Sequence, residues 1–316
     1  MVVINPIVGR PHPAGRGFRA LGSASTNQQG VARVSVRHAL GGYQEYAPPM
    51  VLAQFCESVW VYRTPPGLAC STHRVLPDLA FNIGVTYVRD WGGRVRDGHA
   101  WLSAPKTRPV TASFPTGRET VAIKVKMEWA SAVAGIIFAD CRDTQVDLAD
   151  LRPSLAGALV DVLEASRGIQ DVTSGLIDTL ARHSRPPRRH GLMVAGHALD
   201  VIRRADGRLP VDHVAAQVGM STRYMRRIVH RDAGLSPKAY ARTLRFLGAM
   251  RLADARSRTS GGVWARIAAE AGFFDQSHLI RESRALAGFT PQELWQERRS
   301  EIIAELHDAG DPAMLA

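Results

Sequence analysis

An internal repeat constrains this chain more than any other feature. Val214-Ala215-Ala216-Gln217-Val218-Gly219-Met220-Ser221 and Ile267-Ala268-Ala269-Glu270-Ala271-Gly272-Phe273-Phe274-Asp275 share an apolar residue, an alanine pair and a glycine at an offset of 53 residues. Past those glycines the offset becomes 54, for Gly234 and Gly288, Ser236 and Thr290, Pro237 and Pro291. The second turn is one residue longer. Each unit combines a short helix carrying small residues, a glycine able to take positive φ at its end, and a side chain, Ser221 or Asp275, able to cap the next helix. This order predicts a helix-turn-helix, twice.

In the helix after each turn, Met225, Ile228 and Val229 of the first unit and Leu279 of the second form the core side. Arg223, Arg226 and Arg227 fall on the opposite side of the first, and Gln276, Ser277, Ile280 and Arg281 take the outward places of the second. Arginine pairs bidentately with guanine, glutamine with adenine, and an apolar tip such as Ile280 meets a thymine methyl, so these seven are candidate base readers in a major groove. Ser221, Arg231, Arg242 and Arg284 are candidate phosphate contacts. Ser236-Pro237 is a cap followed by proline at the first helical position, opening a helix to about Ala255. Thr290-Pro291-Gln292-Glu293 repeats that opening with a capping-box glutamate. The connecting helix spans about 28 Å at 1.5 Å per residue, close to the ~34 Å between successive major-groove faces of one duplex. One polypeptide can therefore reach two adjacent grooves.

Charge agrees with this placement. Of the 40 basic and 29 acidic residues, 22 basic and 10 acidic lie in 182–300, against 18 and 15 in 1–180. The positive excess sits with the repeat, as an anionic partner requires. Elsewhere the texture differs. Residues 1–30 are rich in Gly, Pro, Ser and Arg and read as a flexible arm. From 31 to 151 short β-prone runs predict a receiver or association domain, with strands at Val34–Arg37, Phe55–Arg63, Arg74–Tyr87, His99–Ser103, Thr111–Phe114 and Thr120–Met127. Helical patterns at Ala130–Phe138, Ser154–Ser166 and Val172–Ala181 follow, so 152–190 reads as a helical connector. Pro186 and Pro187 among Arg185, Arg188 and Arg189 mark a boundary, and 191–308 is all-helical, beginning with Leu192–Arg204.

The region 195–299 resembles the C-terminal DNA-binding domain of the AraC family of bacterial transcription regulators. The residues that carry the resemblance are Gly219-Met220-Ser221 with Arg223, Met225 and Arg227, then Gly234-Leu235-Ser236-Pro237, then Arg245, Ala249 and Leu252. Ile267-Ala268, Gly272-Phe273, Asp275-Gln276-Ser277-His278-Leu279, Arg281 and Gly288-Phe289-Thr290-Pro291 complete it. Ser283 stands where members usually carry a phenylalanine, which implies a looser second recognition helix. Pro48 to Leu151 is similar to the cupin-like N-terminal module of an AraC-type subgroup, through Val75-Leu76-Pro77-Asp78, Phe81-Asn82 and Thr107-Arg108-Pro109, with a shorter loop after the Pro-Asp pair. The resemblance implies an α+β protein: a β-rich cupin-like domain followed by an all-α domain with two helix-turn-helix units. It further implies a transcription regulator, activator rather than repressor, that binds double-stranded DNA and is modulated by a small-molecule effector or by homodimerisation, with RNA polymerase as a partner.

Trp60, Tyr62, His73, Trp91 and Trp101 are the side chains available to an effector pocket. His73 and His99 occur without a ligand-spaced cluster, so neither a metal nor another cofactor is expected. Two alternatives remain. Some alkylation-repair enzymes join an AraC-like domain to a methyl-accepting cysteine, but Cys56, Cys70 and Cys141 provide neither four clustered ligands nor a Pro-Cys-His context. An effector-free architectural protein would bend DNA with little sequence preference. No apolar run approaches the ~18 residues of a membrane helix and Met1 to Arg10 has no leader character, so a cytoplasmic, non-enzymatic protein is expected.

Overall fold

A computed structural model of the protein describes residues 42–64, 70–135, 141, 143–184, 190–256 and 262–297. The 1–30 arm, the strand expected at 34–37 and the proline-arginine boundary at 185–189 lie outside the described residues. The N-terminal region holds β1 (Tyr43–Tyr46), β2 (Cys56–Arg63), β3 (Cys70–Val75), β4 (Phe81–Arg89), β5 (Val95–Ser103), β6 (Val110–Pro115), β7 (Arg118–Val125) and β8 (Gln145–Asp147). Six of these form one antiparallel sheet in the order β1-β2-β7-β4-β5-β8, while β3 and β6 pair separately.

Register explains how the large sheet divides its side chains. Val59, Ile123, Ile83 and Leu102 lie in one row across β2, β7, β4 and β5, with Val61, Val121, Val85 and Ala100 in a second row on the same face. All eight are buried. Helices α3 (Pro153–Ala165) and α4 (Ile169–His183) cover this face with Leu155, Leu159 and Leu163, and Val172, Leu176 and Leu180, each at most 1% exposed. Their four-residue spacing is the helical stripe such a face requires. The opposite face is mixed in polarity: Ser58, Lys124, Asn82 and Ser103 form one row, and Trp60, Ala122, Gly84 and Trp101 the next. A side chain at Gly84 would come within 2.7 Å of the Trp101 ring and 2.6 Å of the Ala122 Cβ, so glycine is what lets the indole lie across the sheet.

Three expected strands differ by more than one residue at an end, and two were not anticipated. The run Arg74–Tyr87 is two strands in different sheets, because Pro77 interrupts pairing between Val75 and Phe81. Thr120–Met127 becomes Arg118–Val125, followed by a 3-10 turn at Met127–Trp129. β5 starts at Val95 rather than His99. The short edge strands β1 and β8 have too few residues for a periodic signal. Helix α1 (Ala130–Ala134) is shorter than Ala130–Phe138, and Gly135 follows it with φ of 72°. After α2 (Leu148–Leu151), α3 and α4 come α5 (His190–Arg204), α6 (Val211–Gln217), α7 (Thr222–Ala233), α8 (Pro237–Asp254), α9 (Val263–Glu270) and α10 (Gln276–Ala287). Residues 291–297 are again helical.

The hydrophobic core does not divide at the proline-arginine boundary. One continuous cluster runs from Leu52 in the β-rich region through α3, α4 and α5 to Met225, Ile228, Val229 and Tyr240, while a second joins Phe246, Trp264, Ile267, Leu279 and Leu294. The seam is α5 against the 3-10 turn. Glycine at 196 allows the approach, since a Cβ there would stand 2.9 Å from the Glu128 carbonyl oxygen. Arg203 then donates from Nη2 to Glu128 Oε1 at 2.9 Å and to Asp200 Oδ1 at 2.6 Å.

Candidate nucleic-acid interface

Each recognition element is built from the same local chemistry. α6 ends in a turn where Gly219 has φ of 69°, and α9 in one where Gly272 has φ of 81°. A β-carbon would strain either backbone. The amides of Met220 and Phe273 close these turns onto the carbonyls of Ala215 and Ala268, at 2.8 and 2.9 Å. Ser221 Oγ then accepts from the Tyr224 amide at 3.3 Å, and Asp275 Oδ1 from the His278 amide at 2.6 Å, starting α7 and α10. Both helices end at a left-handed glycine, Gly234 or Gly288. Ser236 caps α8 through the Ala239 amide at 3.1 Å, and Thr290 with Glu293 forms the reciprocal capping box, the amide of each bonding to the other's side chain at 2.7 and 3.2 Å. That amide bond, with the Thr290 hydroxyl, holds the Glu293 carboxyl below its usual pKa.

On α7, Met225, Ile228 and Val229 are buried, whereas Arg223, Arg226 and Arg227 are exposed. Among the described residues Arg223, Arg226 and Arg281 form no ion pair. The Arg227 guanidinium lies 5.2 Å from the centroid of the Tyr224 ring, a cation-π contact that orients it. On α10, Gln276, Ser277 and Arg281 are exposed, Ile280 is half-buried and Leu279 is buried. Arg284 is exposed on the last turn of α10.

Two expected phosphate contacts are occupied otherwise. Arg231 makes a two-pronged pair with Asp232, Nε to Oδ1 at 2.5 Å and Nη2 to Oδ2 at 3.0 Å, and Asp232 is only 5% exposed. Arg242 pairs from Nε with Oε2 of Glu282, binding the connecting helix to α10. A guanidinium committed to a carboxylate must surrender that partner before it can meet a phosphate. Ser221 Oγ accepts the cap bond and keeps its O–H to donate, and Arg284 is exposed with the Glu293 carboxylate as a charged neighbour.

Ser283 also departs from the sequence-based expectation of a loose second helix. It is 0% exposed, and its hydroxyl donates to the Phe289 carbonyl oxygen at 2.7 Å, tying α10 to the closing turn. Phe273 is itself held on two sides: His278 meets its ring edge-on at 5.4 Å, and Arg245 lies over it at 5.6 Å.

Of the five pocket candidates, three come together on the mixed face of the large sheet. Trp60 Nε1 donates to Asn82 Oδ1 at 3.1 Å and Trp101 Nε1 to Thr86 Oγ1 at 2.9 Å, with ring centroids 6.2 Å apart. Tyr62 is buried against Phe114 of β6 at 4.1 Å. Trp91 is 89% exposed in the turn between β4 and β5 and lines no pocket with them, because the turn carries it away from the sheet face. The side chain of His73 lies outside the described residues. Beside the tryptophans sits an ionic group not anticipated from sequence. Burial alone would lower the Lys124 pKa, but Tyr43, Glu45 and Asp78 outweigh it and raise it. Burial pushes the Asp78 carboxyl up to about 6 and leaves its Oδ1 without a hydrogen-bond partner.

Residues 214–297 match the family described as a helix-turn-helix domain. This segment is an AraC-type helix-turn-helix domain. The match takes in α7, α8, α9 and α10, so the AraC-type domain contains both recognition helices and the connector, about a quarter of the chain. No curated protein matches the sequence. Among solved structures, the DNA-binding transcriptional dual regulator of Escherichia coli K-12 is 18% identical, with 37% of this chain and 99% of that chain covered and a TM-score of 0.30. An apo ToxT variant from Vibrio cholerae is 10% identical, covering 81% and 97% at a TM-score of 0.38. ToxT with bound unsaturated fatty acid is 8% identical, covering 72% and 94% at 0.36. Superpositions this loose carry no functional inference. Among the described residues no helix is long and apolar enough to cross a membrane, and no group of three or more His, Cys, Asp or Glu side chains is placed to hold a metal.

Proposed function

We propose that the protein is a sequence-specific DNA-binding transcription regulator, with residues 31–151 as an effector or association domain, 152–190 as a connector and 191–308 as the DNA-binding domain. The observation that carries this reading is the pair of capped recognition helices joined by an 18-residue helix, with Arg223, Arg226 and Arg281 exposed and without an ion pair among the described residues. At 1.5 Å per residue α8 is about 27 Å long, which suits two successive major-groove faces. Arg223, Arg226, Arg227, Gln276, Ser277, Ile280 and Arg281 read bases, and Arg284 and the α7 amino end near Ser221 meet phosphates.

Regulation follows from the shared core. α7 belongs to the same apolar cluster as the sheet, so a rearrangement of the β-rich region shifts the first recognition helix relative to the second. A small molecule at the Trp60, Tyr62 and Trp101 face, or a second copy of the chain, is the input; activation through RNA polymerase is the output that the AraC resemblance favours. The protein acts in the cytoplasm and is not an enzyme. Burial pushes the Cys56 thiol up to about 12, which disfavours the thiolate a methyl acceptor needs.

Selection of duplexes from a random pool by the full chain, followed by footprinting, tests this. The expected result is one preferred sequence with two protected major-groove segments about one helical turn apart. Binding that bends all sequences alike would establish the architectural reading instead.

A further inference from the structure

Phe274 is the residue by which the two units differ in length. The turn bonds of Met220 and Phe273 correspond at an offset of 53, and the caps Ser221 and Asp275 at 54, so Phe274 is the insertion. A phenylalanine just before a helix cap ordinarily packs back on the fourth residue of that helix, here Leu279. It does not do so. Phe274 is 92% exposed, and the neighbouring Phe273, 5% exposed, does the packing against His278 and Arg245. The fold therefore holds a large apolar ring in water at the amino end of α10, the end that a recognition helix inserts into the groove, directly before the outward Gln276 and Ser277.

The geometry points to Phe274 as a specificity-determining residue that packs on a thymine methyl in the half-site taken by the second unit. This deepens the DNA-binding reading and rests on it. The chemistry fits: the thymine methyl is the one apolar group on the major-groove edge of the bases, and an aromatic face already exposed buries it without losing internal contacts. Two elements with otherwise matching turns then differ in what they read, because only the longer turn presents a ring.

The test uses the full chain and its selected duplex, with each thymine replaced in turn by deoxyuridine, which lacks only the methyl. With the unaltered protein, removing the methyl at one position of the second half-site weakens binding about fourfold, the value of one buried carbon. Phe274→Ala weakens binding to the thymine duplex, makes the same uridine replacement silent, and leaves the melting temperature unchanged. Phe274→Leu keeps part of the methyl dependence. If Phe274→Ala lowers affinity equally for thymine and uridine duplexes, or leaves DNA affinity unchanged while lowering transcription, the assignment is overturned and the ring meets the backbone or another protein. If the unaltered chain selects no duplex at all, the DNA-binding reading fails with it, an outcome distinct from either of these.

Discussion

Arg242 offers a sharp test of what holds the second recognition helix. Its pairing with Glu282 joins α8 to α10 with side chains 33% and 20% exposed, and Glu282 has a further neighbour in His278 Nε2 at 3.7 Å. A pair this far removed from water exceeds an exposed surface pair without paying the full cost of a buried one, so its coupling energy is about 1 kcal/mol. Urea denaturation of Arg242→Ala, Glu282→Gln and the double variant closes the cycle. Each single change is expected to destabilise by about 1 kcal/mol, with little added by the second. DNA titration against salt separates this role from the phosphate contact anticipated from sequence. Loss of one phosphate contact flattens the slope of log K against log salt by ~0.9, roughly a 3.5-fold difference in affinity ratio between ~50 and ~200 mM. The ion-pair assignment predicts an unchanged slope. Additive energies together with a slope reduced by ~0.9 would refute it and return Arg242 to the DNA backbone.

Arg223→Ala and Arg226→Ala should each cost ~1 to 3 kcal/mol of specific binding and relax preference in one half of the selected site only, while stability shifts by less than about 0.5 kcal/mol because both side chains are exposed and form no ion pair among the described residues. Binding competition with half-site variants checks this, and a uniform loss across sequences would mark them as phosphate contacts. Asp78 is held protonated more tightly in the folded protein than in the unfolded chain, with its pKa raised from 3.8 to about 6. Its contribution to stability is thus fullest below pH ~4 and declines as pH rises to ~6, by about 2 kcal/mol. In urea melts across that window Asp78→Asn should lack the decline; parallel curves would count against it. Ser283→Ala takes the hydroxyl donor away from the Phe289 carbonyl and should cost about 1 kcal/mol, read as a lower urea midpoint, whereas a neutral effect would mean another donor reaches that oxygen.

Caps and turns were legible in the sequence because their chemistry is local. A serine or aspartate three residues before a free amide, and a glycine where φ must be positive, act within one turn of helix, and Ser221, Asp275, Ser236, Thr290, Gly219 and Gly272 all stand as read. Outward and inward positions on α7 and α10 follow from the 3.6-residue period for the same reason. The carboxylates beside Arg231 and Arg242 were not legible, because an arginine's partner is fixed by what folding brings beside it. Asp232 is adjacent in sequence but counts only once burial makes its carboxylate need a cation, and Glu282 is 40 residues away.

The same distinction governs the larger architecture. Prolines and arginines at 185–189 are a local signal for a break in the chain, and they say nothing about which apolar surfaces meet across it. The contact between α5 and the 3-10 turn depends on a glycine at 196, a glutamate at 128 and an arginine at 203, which share no periodicity and no motif. The first recognition helix shares its core with the β-rich region, whereas the second lies in a separate cluster that the β-rich region touches only through Leu76. Two recognition helices set in different cores need not move together. The residues between the clusters, Ala241 and Phe246 of α8, are where a change in the first core becomes a change in the spacing presented to DNA.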